Sequence, residues 1–96
     1  MIKTIKCISG DNVIKKIETV KNYIGAMKVE QRETGYYVRF RKSKSNKIKA
    51  DQYCEILELE DDALIERISD YEFIISEKEL NELYDSYMRK LFAREV

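Results

Sequence analysis

MKVEQRETGYYVRF, residues 27–40, is the stretch from which the fold can be read most directly. Apolar and polar residues alternate on both sides of Thr34 and Gly35, and a period of two is typical of a strand with one buried face. A glycine between two such runs favours a tight turn. The stretch therefore predicts a β-hairpin, whose second strand directs Tyr36, Val38 and Phe40 to the core and Tyr37, Arg39 and Arg41 outward.

Before the hairpin, the pattern predicts a strand and a helix. Residues 2–8 are rich in isoleucine and favour a buried strand, which a Ser-Gly turn would end. Asp11 is suited to cap a helix that continues to Ile24, since apolar residues then recur every three to four positions. Gly25 is placed to end that helix in a left-handed conformation.

After the hairpin, the assignments are less distinct. Residues 43–50 are polar and without period, which indicates a loop. Residues 53–59 fit either a strand or the beginning of a helix, and we favour the strand. Two aspartates favour a short helix over residues 63–69, and residues 71–75 read as a strand.

The last element has the clearest signals. Ser76 and Glu79 have the spacing of a capping box, and an apolar stripe begins at Leu80, so we expect a helix over residues 77–92. The whole pattern predicts a single α+β domain over residues 1–96. Its small antiparallel sheet of about four strands would pack against an N-terminal and a C-terminal helix.

Charge is divided between the two halves of the chain. The net charge is zero, yet residues 1–50 carry 13 basic and 4 acidic side chains, whereas residues 51–96 carry 5 basic and 14 acidic ones. Such asymmetry indicates a nucleic-acid face, an acidic face for a basic partner, or mutual neutralisation of the halves by surface ion pairs.

The acidic half supports our first functional hypothesis. Dense negative charge steers association with a positive partner, including a protein surface that otherwise holds DNA or RNA. We therefore expect a non-catalytic binding protein, such as a small regulator or inhibitor, that occludes a basic surface of a protein partner. The candidate contact residues are Glu58, Glu60, Asp61, Asp62, Glu66, Asp70 and Glu72.

The basic hairpin and the residues after it support the alternative, direct binding of DNA or RNA. Lysine and arginine neutralise phosphates, and an exposed tyrosine stacks on bases. The candidates are Tyr37, Arg39, Arg41, Lys42, Lys44, Lys47 and Lys49. GYYVRF, residues 35–40, also resembles the ribonucleoprotein segment of RNA-recognition motifs, and this resemblance implies that an aromatic residue of the strand stacks on RNA.

Signals for catalysis, cofactors and metals are lacking. The chain has no histidine, phosphate-binding glycine loop or nucleophile motif. Its acidic runs lack the spacing of a calcium loop, and Cys7 and Cys54 lack CxxC spacing, so we expect no enzyme activity, no cofactor, no metal and reduced thiols.

The expected setting follows from composition. Lysines interrupt the apolar residues at the amino terminus, so we expect no membrane segment and a cytoplasmic location. The abundance of Lys and Ile suits an A/T-rich bacterial genome, or a phage or other mobile element. A homodimer through the final helix is a further alternative, because Met88 and Phe92 broaden its apolar stripe.

Overall fold

The chain forms three helices and a four-stranded sheet in the computed structural model, which describes the backbone of residues 2–95 and the side chains of residues 13–93. In chain order the elements are α1 (Ile2–Ile24), β1 (Lys28–Gln31), β2 (Tyr36–Arg39), α2 (Lys44–Leu59), β3 (Leu64–Ser69), β4 (Glu72–Ile75) and α3 (Glu77–Glu95).

The sheet is antiparallel throughout, with the strand order β1-β2-β4-β3. All three helices contribute to one hydrophobic core on one face of this sheet, through residues such as Val20, Cys54 and Leu80. The expectation of an α+β domain, with about four antiparallel strands packed against an N-terminal and a C-terminal helix, is confirmed.

The hairpin formed by β1 and β2 has the predicted faces. Tyr36, Val38 and Phe40 are buried in the core, and the turn is closed by the Arg32 N–H, which donates to the Gly35 carbonyl oxygen at 2.7 Å. A Cβ atom on Gly35 would collide with the backbone oxygen of Ile75 in β4. Glycine is needed here because the neighbouring strand passes so close.

The predicted strand over residues 2–8 is wrong, because this backbone belongs to α1, and Asp11 therefore lies inside that helix rather than capping it. Isoleucines spaced three apart fit a helix as well as a strand. The Ser-Gly pair does not end the helix, since one internal glycine costs only about 1 kcal/mol relative to alanine.

The predicted loop and strand over residues 43–59 are also wrong, and the helical alternative for residues 53–59 is right. Ser43 caps α2 by accepting the Asn46 N–H at 3.0 Å, and the small residues Ala50 and Cys54 face the core with Leu57. The predicted helix over residues 63–69 is instead β3, because pairing with β4 satisfies its backbone.

The end of α1 and the start of α3 are formed as expected. Gly25 has a φ of +74°, and the Ala26 N–H donates to the Lys21 carbonyl oxygen at 3.0 Å, which is the Schellman arrangement. At the start of α3, the Glu79 N–H donates to Ser76 Oγ at 3.1 Å.

Candidate functional site

The fold concentrates acidic side chains at one end of the sheet and basic side chains at the opposite end. Strand register places Leu64, Ile75 and Tyr36 at one end, and Ser69, Glu72 and Arg39 at the other. We call the first the acidic end, and it comprises Glu58, Glu60, Asp61, Asp62, Glu77, Glu79 and Glu82 around the end of α2 and the start of α3. We call the second the basic end, and it comprises Arg39, Arg41, Lys42, Lys44 and Lys47 around the start of α2.

The predicted acidic contact residues do not form one face. Glu58, Glu60, Asp61 and Asp62 are exposed at the acidic end, and Glu66 is exposed on β3. Asp70 and Glu72 lie beside the basic end instead, since the turn between β3 and β4 carries the chain back there. The expectation of one seven-residue face is therefore corrected to a smaller cluster.

Asp70 and Glu72 also have partners within the chain. Asp70 Oδ2 lies 3.8 Å from Lys47 Nζ, and Glu72 accepts hydrogen bonds from the Tyr37 hydroxyl and from Ser69 Oγ. These bonds, with that of Tyr37 the larger cause, lower the pKa of Glu72 below its ordinary value. Both carboxylates thus belong to local surface pairs.

Large apolar side chains are exposed on α2 close to the acidic end. Leu59, the last residue of α2, is 88% exposed, and Ile56 is 56% exposed. Glu58 and Glu60 flank Leu59 directly, and both are exposed. Ile56 and Leu59 are not among the contact residues predicted from the sequence, because residues 53–59 are assigned there to a strand.

The charges of α2 oppose its helix dipole at both ends. Lys44 and Lys47 occupy the first turn with no carboxylate there, whereas Glu55 and Glu58 occupy the last turns with no cation. Carboxylates stabilise the positive N-terminal end and cations the negative C-terminal end, by about 0.3–1 kcal/mol each. This arrangement therefore does not serve the stability of the helix.

The predicted nucleic-acid residues are only partly available at the surface. Tyr37 points away from the core as expected, but it is just 6% exposed, and its ring centroid lies 4.5 Å from the Arg32 guanidinium carbon. Burial, followed by the bond to Glu72, raises its pKa. The expected exposure of Tyr37 is therefore wrong, and little of its ring is accessible for stacking on a base.

Lys49 also has an internal role. Its ammonium group donates to the Ile24 carbonyl oxygen at the end of α1 and lies 5.2 Å from the centroid of the Phe40 ring. Lys47 faces Asp70, as described above. Arg39, Arg41, Lys42 and Lys44 remain as exposed cations at the basic end.

Three carboxylates from two helix ends meet at the acidic end. One oxygen each of Glu60, Glu79 and Glu82 lies within 4.8 Å of the other two. Burial is the main cause that raises the pKa of Glu79 to about 7, and the neighbouring carboxyl groups of Glu60 and Glu82 raise it further. Chemically, such a group can share a proton or bind a cation.

The exposed surface of α3 bears on the predicted homodimer. Tyr87 packs edge-on against Tyr23 of α1, with ring centroids 5.5 Å apart, so this part of the stripe serves the fold. Phe92 is exposed, and Leu91 is partly so. The homodimer stays a prediction.

Comparisons with protein-family models, curated proteins and solved structures gave no match for the chain. Within the described part of the chain, none of the helices is both long and apolar enough to span a membrane. Function is therefore inferred from the surface of the molecule itself.

Proposed function

We propose that this chain is a non-catalytic binding protein, and that its acidic end occludes a basic surface of a protein partner. The observation that carries the proposal is Leu59, a large apolar side chain that is 88% exposed between Glu58 and Glu60. An apolar centre with a charged rim is the usual arrangement of a protein contact surface.

Leu59 and Ile56 would supply affinity. Full burial of one leucine or isoleucine contributes about 1.5–3 kcal/mol, and a nearly exposed side chain has most of that still to gain. Both lie on the last turns of α2, whose geometry is fixed by the buried residues Cys54 and Leu57. The anchor would thus be presented on a rigid element.

The carboxylates would orient the partner protein and increase its rate of association. Glu58, Glu60, Asp61 and Asp62 form a dense negative surface, which attracts a positive partner and repels a negative one. Surfaces that hold DNA or RNA are rows of lysine and arginine, so such a surface fits this charge. Occlusion of that surface would make the chain a small regulator or inhibitor.

The charge layout of α2 also supports a role in contact. Glu55 and Glu58 lie at the end of the helix where carboxylates are least favourable. Their presence is explained more readily by a partner than by helix stability. A cytoplasmic regulator of a bacterial or phage-type genome is the setting that the composition favours.

The test is affinity capture with the purified chain from nuclease-treated lysate of the source organism, followed by titration of the captured protein. We expect to capture a basic protein even after nuclease treatment, and its binding should weaken as salt rises. Binding should be lost in the Leu59→Ser variant and in the double variant Glu58→Lys with Asp61→Lys. Ile14→Ser, at another exposed apolar residue, and Asp85→Lys, at another exposed acid, are matched controls and should leave binding unchanged. Equal loss in the controls, or capture of an acidic protein, would contradict the proposal.

The second candidate is direct binding of DNA or RNA at the basic end. It is favoured by Arg39, Arg41, Lys42 and Lys44, which are exposed together where α2 begins and where its dipole attracts anions. A salt-dependent shift of labelled DNA or RNA, abolished when these four residues become glutamate, would support this candidate and count against the first.

A further inference from the structure

We propose that Glu60, Glu79 and Glu82 bind a divalent hard cation of the calcium class, a site that the proposed partner contact does not require. Carboxylate oxygens are the preferred ligands of such ions, and calcium accepts them at about 2.3–2.6 Å in flexible geometry. Two ligands on opposite sides of a calcium ion are therefore separated by about 4.6–5.2 Å. The three oxygens here lie within 4.8 Å of one another, a spacing close to that of ligands around one calcium ion.

Local structure explains why these side chains converge. Glu60 caps the end of α2, and its N–H donates to the Leu57 carbonyl oxygen at 3.2 Å. Glu79 and Glu82 are three residues apart in α3, a spacing that places both on one side of a helix. The Ser76 N–H donates to the Ala63 carbonyl oxygen at 2.9 Å, which ties the start of α3 to the turn after α2.

An independent observation is the unpartnered oxygen of Glu79. This residue is 8% exposed, and its Oε2 atom is buried without a hydrogen-bond partner among the described residues. In a capping box the glutamate accepts the N–H of the cap residue, but here that N–H of Ser76 is bonded to Ala63. The Glu79 carboxylate is thus left to face Glu60 and Glu82.

The local charge favours a cation. A buried acceptor without a hydrogen-bond partner destabilises the fold, and a charged acceptor does so more strongly. Three carboxylates whose oxygens lie within 4.8 Å of one another repel each other when ionised, and a bound cation would offset that repulsion. The helix dipole of α3 places only about half a positive charge at its N-terminal end, which is too little to neutralise three carboxylates.

The test uses the purified chain of residues 1–96, freed of metal with a chelator and then titrated with calcium chloride in calorimetry and in thermal unfolding. We expect a saturable rise of the unfolding midpoint, and a smaller rise with magnesium, because magnesium prefers shorter bonds and retains its water. Glu82→Gln and Glu60→Gln change exposed residues, so both variants should fold. Each removes one ligand charge and should weaken calcium binding at least about tenfold.

Glu77→Gln is the matched control, because it removes an exposed carboxylate from the same first turn of α3 without touching the cluster. It should bind calcium as the wild type does. No saturable response up to about 10 mM calcium, above the weakest protein sites, would overturn the proposal. A response that survives in Glu82→Gln, or is lost equally in Glu77→Gln, would also overturn it. No partner is present, so the outcome is independent of the proposed function.

Discussion

Replacing Lys49 with methionine should destabilise the fold, although the sequence placed this lysine among the nucleic-acid contacts. Methionine keeps most of the apolar stem but removes the ammonium group, which donates to the Ile24 carbonyl oxygen and lies over the Phe40 ring. A hydrogen bond with a charged partner contributes about 1.5–3 kcal/mol, and a partly exposed cation–π contact about 0.5–1 kcal/mol. The two contributions are not fully additive because one ammonium group makes both contacts. We therefore expect a total loss near the lower end of their sum, about 2 kcal/mol.

The measurement is urea or thermal unfolding followed by circular dichroism. For a domain of this size, a loss of about 2 kcal/mol corresponds to a fall of about 8–16 °C in the unfolding midpoint. Lys47→Met is the control, since its ammonium group lies 3.8 Å from Asp70 and both side chains are at least half exposed. That pair should contribute about 0–1 kcal/mol. If Lys49→Met destabilises the chain no more than Lys47→Met, the internal role of Lys49 is refuted.

Three further predictions concern the core and two titrating groups. Leu80→Ala should lower the free energy of unfolding in urea by about 2–5 kcal/mol, since the side chain is 1% exposed; a loss under about 1 kcal/mol would contradict its place in the core. Tyr37→Phe should raise the pKa of Glu72 in an NMR titration toward 4.5, because it removes the largest cause that lowers it. In the wild type, the stability from Glu72 is present above pH 4.5 and is lost as the pH falls through its lowered pKa; an unchanged pKa in the variant would refute the role of this bond. In a Cys7→Ser background, Cys54 should react with a thiol reagent far more slowly in the folded chain than in urea, because burial raises the pKa of its thiol; equal rates would show that the thiol is accessible.

Elements whose signals are local were predictable from the sequence. The hairpin follows from alternation around Gly35, and α3 follows from Ser76 together with one apolar stripe. The helix α2 was missed because its buried positions include the small residues Ala50 and Cys54, which carry little hydrophobic signal. The strand β3 was missed because its conformation depends on pairing with β4, which no local pattern reveals.

The candidate site was also only partly predictable from the sequence. The count of charges was available from the sequence, but their placement depends on which ends of the strands adjoin. Asp70 joins the basic end because β3 and β4 form a hairpin. Glu60 and Glu79 are nineteen positions apart, so only the tertiary structure reveals their approach.

The separation of charge along the sheet also affects how copies of this chain meet in solution. With zero net charge, no long-range repulsion keeps two molecules apart, and the acidic end of one complements the basic end of the next. A contact between two different patches leaves one patch of each kind unused, so it can propagate into open rows rather than closing as a symmetric pair. Concentrated preparations at low ionic strength should therefore scatter more light than those at physiological salt, where the screening length falls to about 8 Å.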